Sequence, residues 1–480
     1  MNDATQSESR PSNTIVCGWC GAEGQTPGEP CQQCQRVPAT VPRWAQPRRR
    51  GRLAWFTRRR IIRLAVAAVV LSFLAWLYYP FFPNPITLLF RSPSTEASSD
   101  SPDGQWSMTG RDLRLTRHIP TPSVQPEGRA VWSRNLGTPT RGAPVVHEGV
   151  VYAGGYFEVI ALDAATGDEL WRYEIATPLD HSVAVAGDNI YLGLTNHRVQ
   201  AVDRNSQYLQ WEFKTEGPIS SSPVVAGGIV YVGSSDSFVY ALDAATGRML
   251  WKTQIVGELR SAPAVNDGLV YAAGNLGDLY IFDARTGQDK LRYRATGNTK
   301  ASPAVANGLA YFPAGGRMYA VDADAREIAG EYQFNRVWAQ FYYWQIPGVP
   351  RPPVQKGGQW LFDPDFDPRE RTTTGLVAAP AVTPETFYVG SFNGAFYAAD
   401  AHSGKEIWRF NADGSIFESA VVMGDRVYFG DSAGSFYALR RSDGEQIWKI
   451  QLDAPIEIAP VFAQGRFYVR TTDGVLHAVE

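Results

Sequence analysis

The chain has 480 residues, 44% of them hydrophobic, which is too long for one ordinary domain and too apolar for a disordered polymer. Lys+Arg 45 against Asp+Glu 48 gives a formal charge of −3, and without a basic excess no dedicated nucleic-acid binder is expected. The charge is unevenly placed: residues 1–60 hold ten Arg against four Asp or Glu, a net of +6, which leaves −9 for residues 61–480. The four cysteines stand at 17, 20, 31 and 34, so nothing beyond Cys34 supplies a disulfide or a thiol nucleophile.

Residues 1–40 carry Cys17-x2-Cys20-x10-Cys31-x2-Cys34, two knuckles able to present four thiolates to one tetrahedral ion. So short a segment cannot bury a core, and the spacing predicts a small structural zinc ribbon on the cytoplasmic side. Four cysteine ligands leave no open coordination position, so this Zn2+ is not catalytic. The pattern resembles zinc-ribbon heads at the N-termini of many bacterial membrane proteins.

Residues 41–60 form an Arg-rich juxtamembrane segment with Arg43, Arg48, Arg49, Arg50, Arg52, Arg58, Arg59 and Arg60. The run IIRLAVAAVVLSFLAWLYY follows at 61–79, and a single transmembrane helix is expected over 61–82. The positive-inside asymmetry puts the N-terminus in the cytoplasm and the remainder outside a cytoplasmic membrane crossed once. Residues 83–104 are Pro- and Ser-rich and predict a polar tether.

From residue 105 the sequence repeats. An Asp recurs at Asp163, Asp203, Asp243, Asp283, Asp322 and Asp400, then as Arg440 and Glu480, at intervals of 40, 40, 40, 39, 78, 40 and 40. Apolar alternation as in GIVYVG, punctuated by Ala-Thr-Gly turns, makes each unit a four-stranded antiparallel blade. A lone blade exposes both faces, so the predicted fold is all-β, an eight-bladed propeller over 105–480. The last repeat stops at Glu480 without an outer strand, and AVWSRNL, with Trp132, is spare at the front to complete that blade. The outer-strand position reads Trp132, Trp171, Trp211, Trp251, Leu291, Gly330, Trp408 and Trp448, with residues 331–374 an insertion between the fifth and sixth blades.

ALDAATGRMLW at 241–251 and WSMTGRDLRLT at 106–116 resemble the quinoprotein-like (PQQ-binding-like) β-propellers, including, in part, the propeller subunit of the β-barrel assembly machinery. The resemblance implies that the six tryptophans Trp132, Trp171, Trp211, Trp251, Trp408 and Trp448 dock between blades, and that contacts weaken at Leu291 and Gly330. It implies for dehydrogenase members PQQ above the channel, Ca2+ on side-chain oxygens, an Asp base and often a disulfide ring. With no cysteine after Cys34 and no assignable ligand cluster, PQQ is not expected here. The Asp of each Asp-Ala-x-Thr-Gly is expected to cap its own turn, and the six histidines are dispersed without metal-ligand spacing.

The insertion supplies Trp338, Tyr342, Tyr343, Trp344 and Trp360 as a partner-binding set for protein or glycan, with a lid on the ring as the alternative. Asp363, Asp365 and Asp367 alternate like a calcium loop, but Pro368 and Thr374 stand where such a loop needs Gly and Glu. The resulting expectation is a membrane-anchored, extracytoplasmic, non-enzymatic interaction or ligand-binding platform. A PQQ-dependent oxidoreductase and a transmembrane sensor acting through the zinc ribbon are the alternatives.

Overall fold

The computed structural model describes residues 14–37, 52–77, 85–102, 104–137, 141–365 and 375–480. The chain divides into two units, Met1–Leu74 and Ala75–Glu480.

In the first unit each cysteine pair makes the same tight turn, with the Gly21 N–H donating to the Cys17 carbonyl at 2.9 Å and the Gln35 N–H to that of Cys31 at 2.8 Å. Helix α1, Arg52–Leu77, follows. Among the described residues no helix is long and apolar enough to cross a membrane, so the expected transmembrane helix over 61–82 is not found. The side chains described in α1 run from 60 to 75, and sixteen residues rise about 24 Å against a ~30 Å hydrocarbon layer. Arg43, Arg48, Arg49 and Arg50 lie outside the described residues.

Among the described residues the second unit contains eight sheets, each built on four antiparallel strands that are consecutive in the chain except where the ring closes. Val224–Ala226, Ile229–Gly233, Phe238–Asp243 and Met249–Gln254 are typical: three buried inner strands and an outer one that alternates in exposure. The last blade takes its outer strand from the front of the chain, Ala130–Asn135, which pairs antiparallel with Val475–Val479 and sets Trp132 opposite Ala478. The closure expected from the truncated final repeat is thus observed. His118–Ile119 adds a fifth, parallel strand to the seventh blade, beside Val421–Met423.

Blades are locked by one recurring contact. Trp132, Trp171, Trp211, Trp251, Trp408 and Trp448 each lie 5.7–6.0 Å from a tyrosine of the second strand of their own blade, at interplanar angles of 47–53°. Where the next blade offers Asp-x-x-Thr-Gly, the indole covers the turn: the Trp211 and Trp251 N–H groups donate to the Ala244 and Ala284 carbonyls at 2.9 and 3.0 Å. The Tyr191 and Tyr231 hydroxyls donate to those same two oxygens. The Asp of each turn accepts from its own backbone as expected, for example Asp163 from the Ala165 and Thr166 N–H groups at 2.9 Å.

Two boundaries are corrected. The outer strand of the fifth blade is Gly358–Phe362, so Trp360, opposite Ala320 and 5.8 Å from Tyr311, is a seventh tryptophan of the outer-strand series and stands apart from the other aromatics of the partner-binding set. Gly330 is instead the N-cap of helix α3, Glu331–Tyr343. The insertion therefore lies inside the fifth blade, between its third strand, Arg317–Asp322, and its fourth, which is why the 78-residue interval hides a displaced outer strand. Leu291 remains the position without an indole, and it is buried.

The second correction concerns 83–104. After helix α2, Pro85–Phe90, the segment is no tether but lies on the third blade: the Arg91 guanidinium donates to the Leu250 carbonyl at 2.9 Å, the Ser94 N–H to Asp243 at 2.7 Å, and Ser99 is fully buried.

Candidate functional site

An innermost strand in a propeller has one edge facing the axis, where unpaired N–H and C=O groups are costly. Residues 99–102 and 104–119 satisfy that edge by winding through the channel. One valine of each of seven inner strands is bonded: Val146 by Trp106, Val185 by Ser107, Val225 by Ser99, Val265 by Leu113, Val305 by Arg114, Val382 by Thr116 and Val422 by Arg117, at 2.7–3.0 Å. The lead-in segment is thus a plug that ties seven blades together, which sequence reading missed because its partners lie up to hundreds of residues away.

Above the plug is a cavity of about 1030 Å³, floored by Trp106, Thr109, Gly110 and Arg117. Its wall is built by one register position, the fourth residue before the start of each inner strand: Arg141, Asp180, Ser220, Arg260, Lys300, Val377, Phe417 and Glu457. His181 and Glu418 stand one residue further in. Three cations therefore share the ring with three carboxylates. Arg260 pairs with Glu258 at 2.6 Å, whereas Arg141 and Lys300 make no hydrogen bond or ion pair among the described residues.

Arg117 decides the electrostatics of the floor. It is 4% exposed; its Nη1 donates to the Leu115 carbonyl and, at 3.2 Å, to the Pro380 carbonyl. No carboxylate lies within ion-pairing distance among the described residues, and burial lowers the pKa of the guanidinium to about 10, with Glu418 and Asp112 pulling it back. Glu418 has its side chain on the cavity, and the protein surrounding it pushes its carboxyl up to about 7 against the attraction of Arg117. Burial likewise holds the pKa of His181 at about 4, so its ring is neutral near pH 7.

The remaining sequence-predicted sites are scattered. The sulfur atoms of Cys17, Cys20, Cys31 and Cys34 lie within 4.8 Å of one another, and they are the one set of three or more His, Cys, Asp or Glu among the described residues close enough to hold a metal ion. Neither cysteine pair precedes a histidine, so the C-x-x-C-H haem-attachment pattern is absent from the chain. The calcium-loop expectation is not supported, because Asp363 pairs with Arg317 at 2.8 Å and Asp365 with Arg409 at 2.9 Å, and Asp367 lies outside the described residues. Trp338, Tyr342, Tyr343 and Trp344 belong to α3 and its C-cap, on the end of the ring opposite the cavity mouth and not beside it.

A 31% identical stretch of 125 residues matches quinohemoprotein alcohol dehydrogenase ADH IIB of Pseudomonas putida, covering 22% of this chain and 18% of the relative. A 30% identical stretch of 115 residues matches the 1-butanol dehydrogenase (quinone) of Thauera butanivorans, covering 20% and 18%. The chain thus spans under a fifth of the length of these curated relatives. Among solved structures, quinohemoprotein alcohol dehydrogenase from Comamonas testosteroni superposes with a TM-score of 0.61 at 14% identity, over 84% of this chain and 83% of that one. The ADHIIG enzyme of Pseudomonas putida HK5 gives 0.59 at 17%, over 79% and 81%. At these identities the superpositions establish the fold.

These relatives overturn one expectation and leave another without support. A purely non-enzymatic platform is contradicted, since the matched relatives are quinone-dependent alcohol dehydrogenases, and the expectation that PQQ is absent has no support. The family model of outer membrane protein assembly factor BamB matches residues 123–215, 195–334, 335–429 and 393–480. Repeats, ring and model agree: the chain belongs to the PQQ-repeat propeller family to which that assembly factor gives its description.

Proposed function

We propose that this chain is a PQQ-class quinone-dependent oxidoreductase whose cofactor occupies the central cavity. The observation that carries the reading is Arg117, a buried cation without an ion-pair partner among the described residues, lining the central cavity. A buried charge left unpaired costs several kcal/mol, which an anionic ligand would offset. PQQ is planar and bears carboxylates. Arg117, Lys300 and Arg141 fit those groups by charge, Trp106 offers an apolar floor, and the volume is ample. A calcium ion fits less well, since no carboxylate set with metal spacing lines the cavity among the described residues.

When bound, the quinone supplies a two-electron acceptor. The chain's own groups do the rest. Arg117 and Lys300 orient the anion, and the plug closes the far end of the channel to water. Glu418, with a carboxyl near neutrality, accepts a substrate hydroxyl proton at its carboxylate oxygen. Titration of the full chain with PQQ while following dye reduction by primary alcohols tests the reading, and absence of both binding and turnover would sink it.

Two further features belong to the same proposal. The Cys17–Cys34 and Cys20–Cys31 sulfur separations of 3.6 Å are near the ~3.8 Å edge of a tetrahedron built on 2.3 Å Zn–S bonds, which supports structural zinc. The described side chains of α1 are exposed and overwhelmingly apolar, which supports membrane anchorage, and the Arg-rich sequence before residue 61 supports a propeller outside the cytoplasm.

A further inference from the structure

The connections between first and second strands, and between third and fourth strands, emerge at one end of the ring. Those between second and third strands, and into the next blade, emerge at the other. Thr195, Ser235, Gly316 and Thr472, all between second and third strands, line the cavity, which fixes its mouth at the second end. The chain enters at the first end. Ala97 accepts from the Gly228 N–H in a first-to-second hairpin, and Ser94 binds Asp243 at a third-to-fourth turn. Helix α2 therefore joins the propeller at the end opposite the cavity, where Leu89 and Phe90 are 76% and 73% exposed.

Helix α3 connects a third strand to a fourth, so it projects from that same end. None of its residues is buried. Phe334, Val337, Trp338, Phe341 and the C-cap Trp344 follow i, i+3, i+4, i+7 and i+10 spacing and make one apolar stripe. Phe334 and Trp344 are 63% and 65% exposed. Gln333, Arg336 and Gln340 flank the stripe and, with Tyr332 and Val337 at its edge, line a groove beside Arg292. An unburied stripe of Phe and Trp backed by polar side chains is the composition of a helix that lies in a lipid interface.

We infer that α3, together with the α2 tip at Leu89 and Phe90, is a lipid-contacting surface that lays this end of the ring on the membrane and points the cavity mouth away from it. The inference rests on the membrane anchorage proposed above. In the sequence only residues 78–84 separate α1 from α2. It also gives the insertion a role unconnected with the cavity, which lies at the other end.

The test uses the full chain reconstituted in vesicles of phosphatidylethanolamine and phosphatidylglycerol. The photoreactive residue p-benzoylphenylalanine replaces Phe341 or Trp344, with Phe392, 60% exposed beside the cavity mouth, as the control position. Lipid adducts at 341 and 344 exceeding those at 392 by about tenfold are expected. Vesicle-bound chain that forms no adduct at 341 and 344, or crosslinks there to a second copy or another protein, overturns the inference while leaving anchorage standing. Chain that does not sediment with the vesicles overturns both.

Discussion

The Trp132 indole lies on Gly167, in the first complete repeat, so closely that a Cβ added to that glycine would sit 2.7 Å from the ring. Gly167 has a φ of +73°, so two demands meet at one residue: a left-handed backbone and room for a neighbour's indole. This contact joins a strand from the front of the ring to the first turn and also covers the last blade, because the Tyr468 hydroxyl and the Trp132 N–H donate to the same Ala164 carbonyl.

Loss of that contact is expected to open the ring at its seam. Trp132→Ala should lower unfolding free energy by ~3 kcal/mol, and Gly167→Val should do comparable damage. At Gln207, which holds the equivalent turn position at a φ of +59°, Gln207→Gly should be close to neutral. Urea denaturation of the three variants checks the ranking, and a Gly167→Val protein as stable as the parent would contradict it.

Arg117→Met separates ligand binding from stability. Replacing a buried unpaired cation by an apolar side chain of similar volume should leave stability unchanged or raise it. The same change should weaken PQQ binding by about 10- to 100-fold, the equivalent of losing one charged hydrogen bond. Thermal melts and titration calorimetry on one preparation read both effects.

Glu418 gives the binding a pH dependence whose sign is fixed. Its carboxyl is raised to about 7, so below that pH it is neutral and above it adds a negative charge beside any anion in the cavity. Affinity for PQQ should therefore be greatest below pH 7 and fall as the pH rises through 7. Glu418→Gln should flatten the profile at its upper plateau, and an unchanged slope would exclude Glu418 as its source.

The cysteine cluster predicts one zinc ion per chain by elemental analysis, lost on Cys17→Ser together with the order of residues 14–37. The propeller, a separate unit, should melt unchanged in a chelator. A metal-free protein with four titratable thiols would rule out the zinc site.

Much of the ring was legible because its packing is repetitive: Trp, Asp and Gly recur where each blade must meet the next, and a missing final strand implied a donated one. Trp360 was misread because helix α3 and its flanks part it from its own third strand by 35 residues, which destroys the interval that identifies the other tryptophans. The cavity was overlooked for the opposite reason. Its residues stand at one fixed position ahead of the inner strands, and the signal was variation, Arg141, Asp180, Arg260, Lys300 and Glu457, where the scaffold around them hardly changes. Arg117 carries no such register, because the plug belongs to no repeat and meets its partners only in the folded ring.

The most direct test of the cavity as a cofactor site is equilibrium titration of the purified full chain with PQQ, in parallel with Arg117→Met. One saturable equivalent per chain, weakened at least about tenfold in the variant, is the predicted result. Binding that the variant leaves untouched, or none at all, would contradict it.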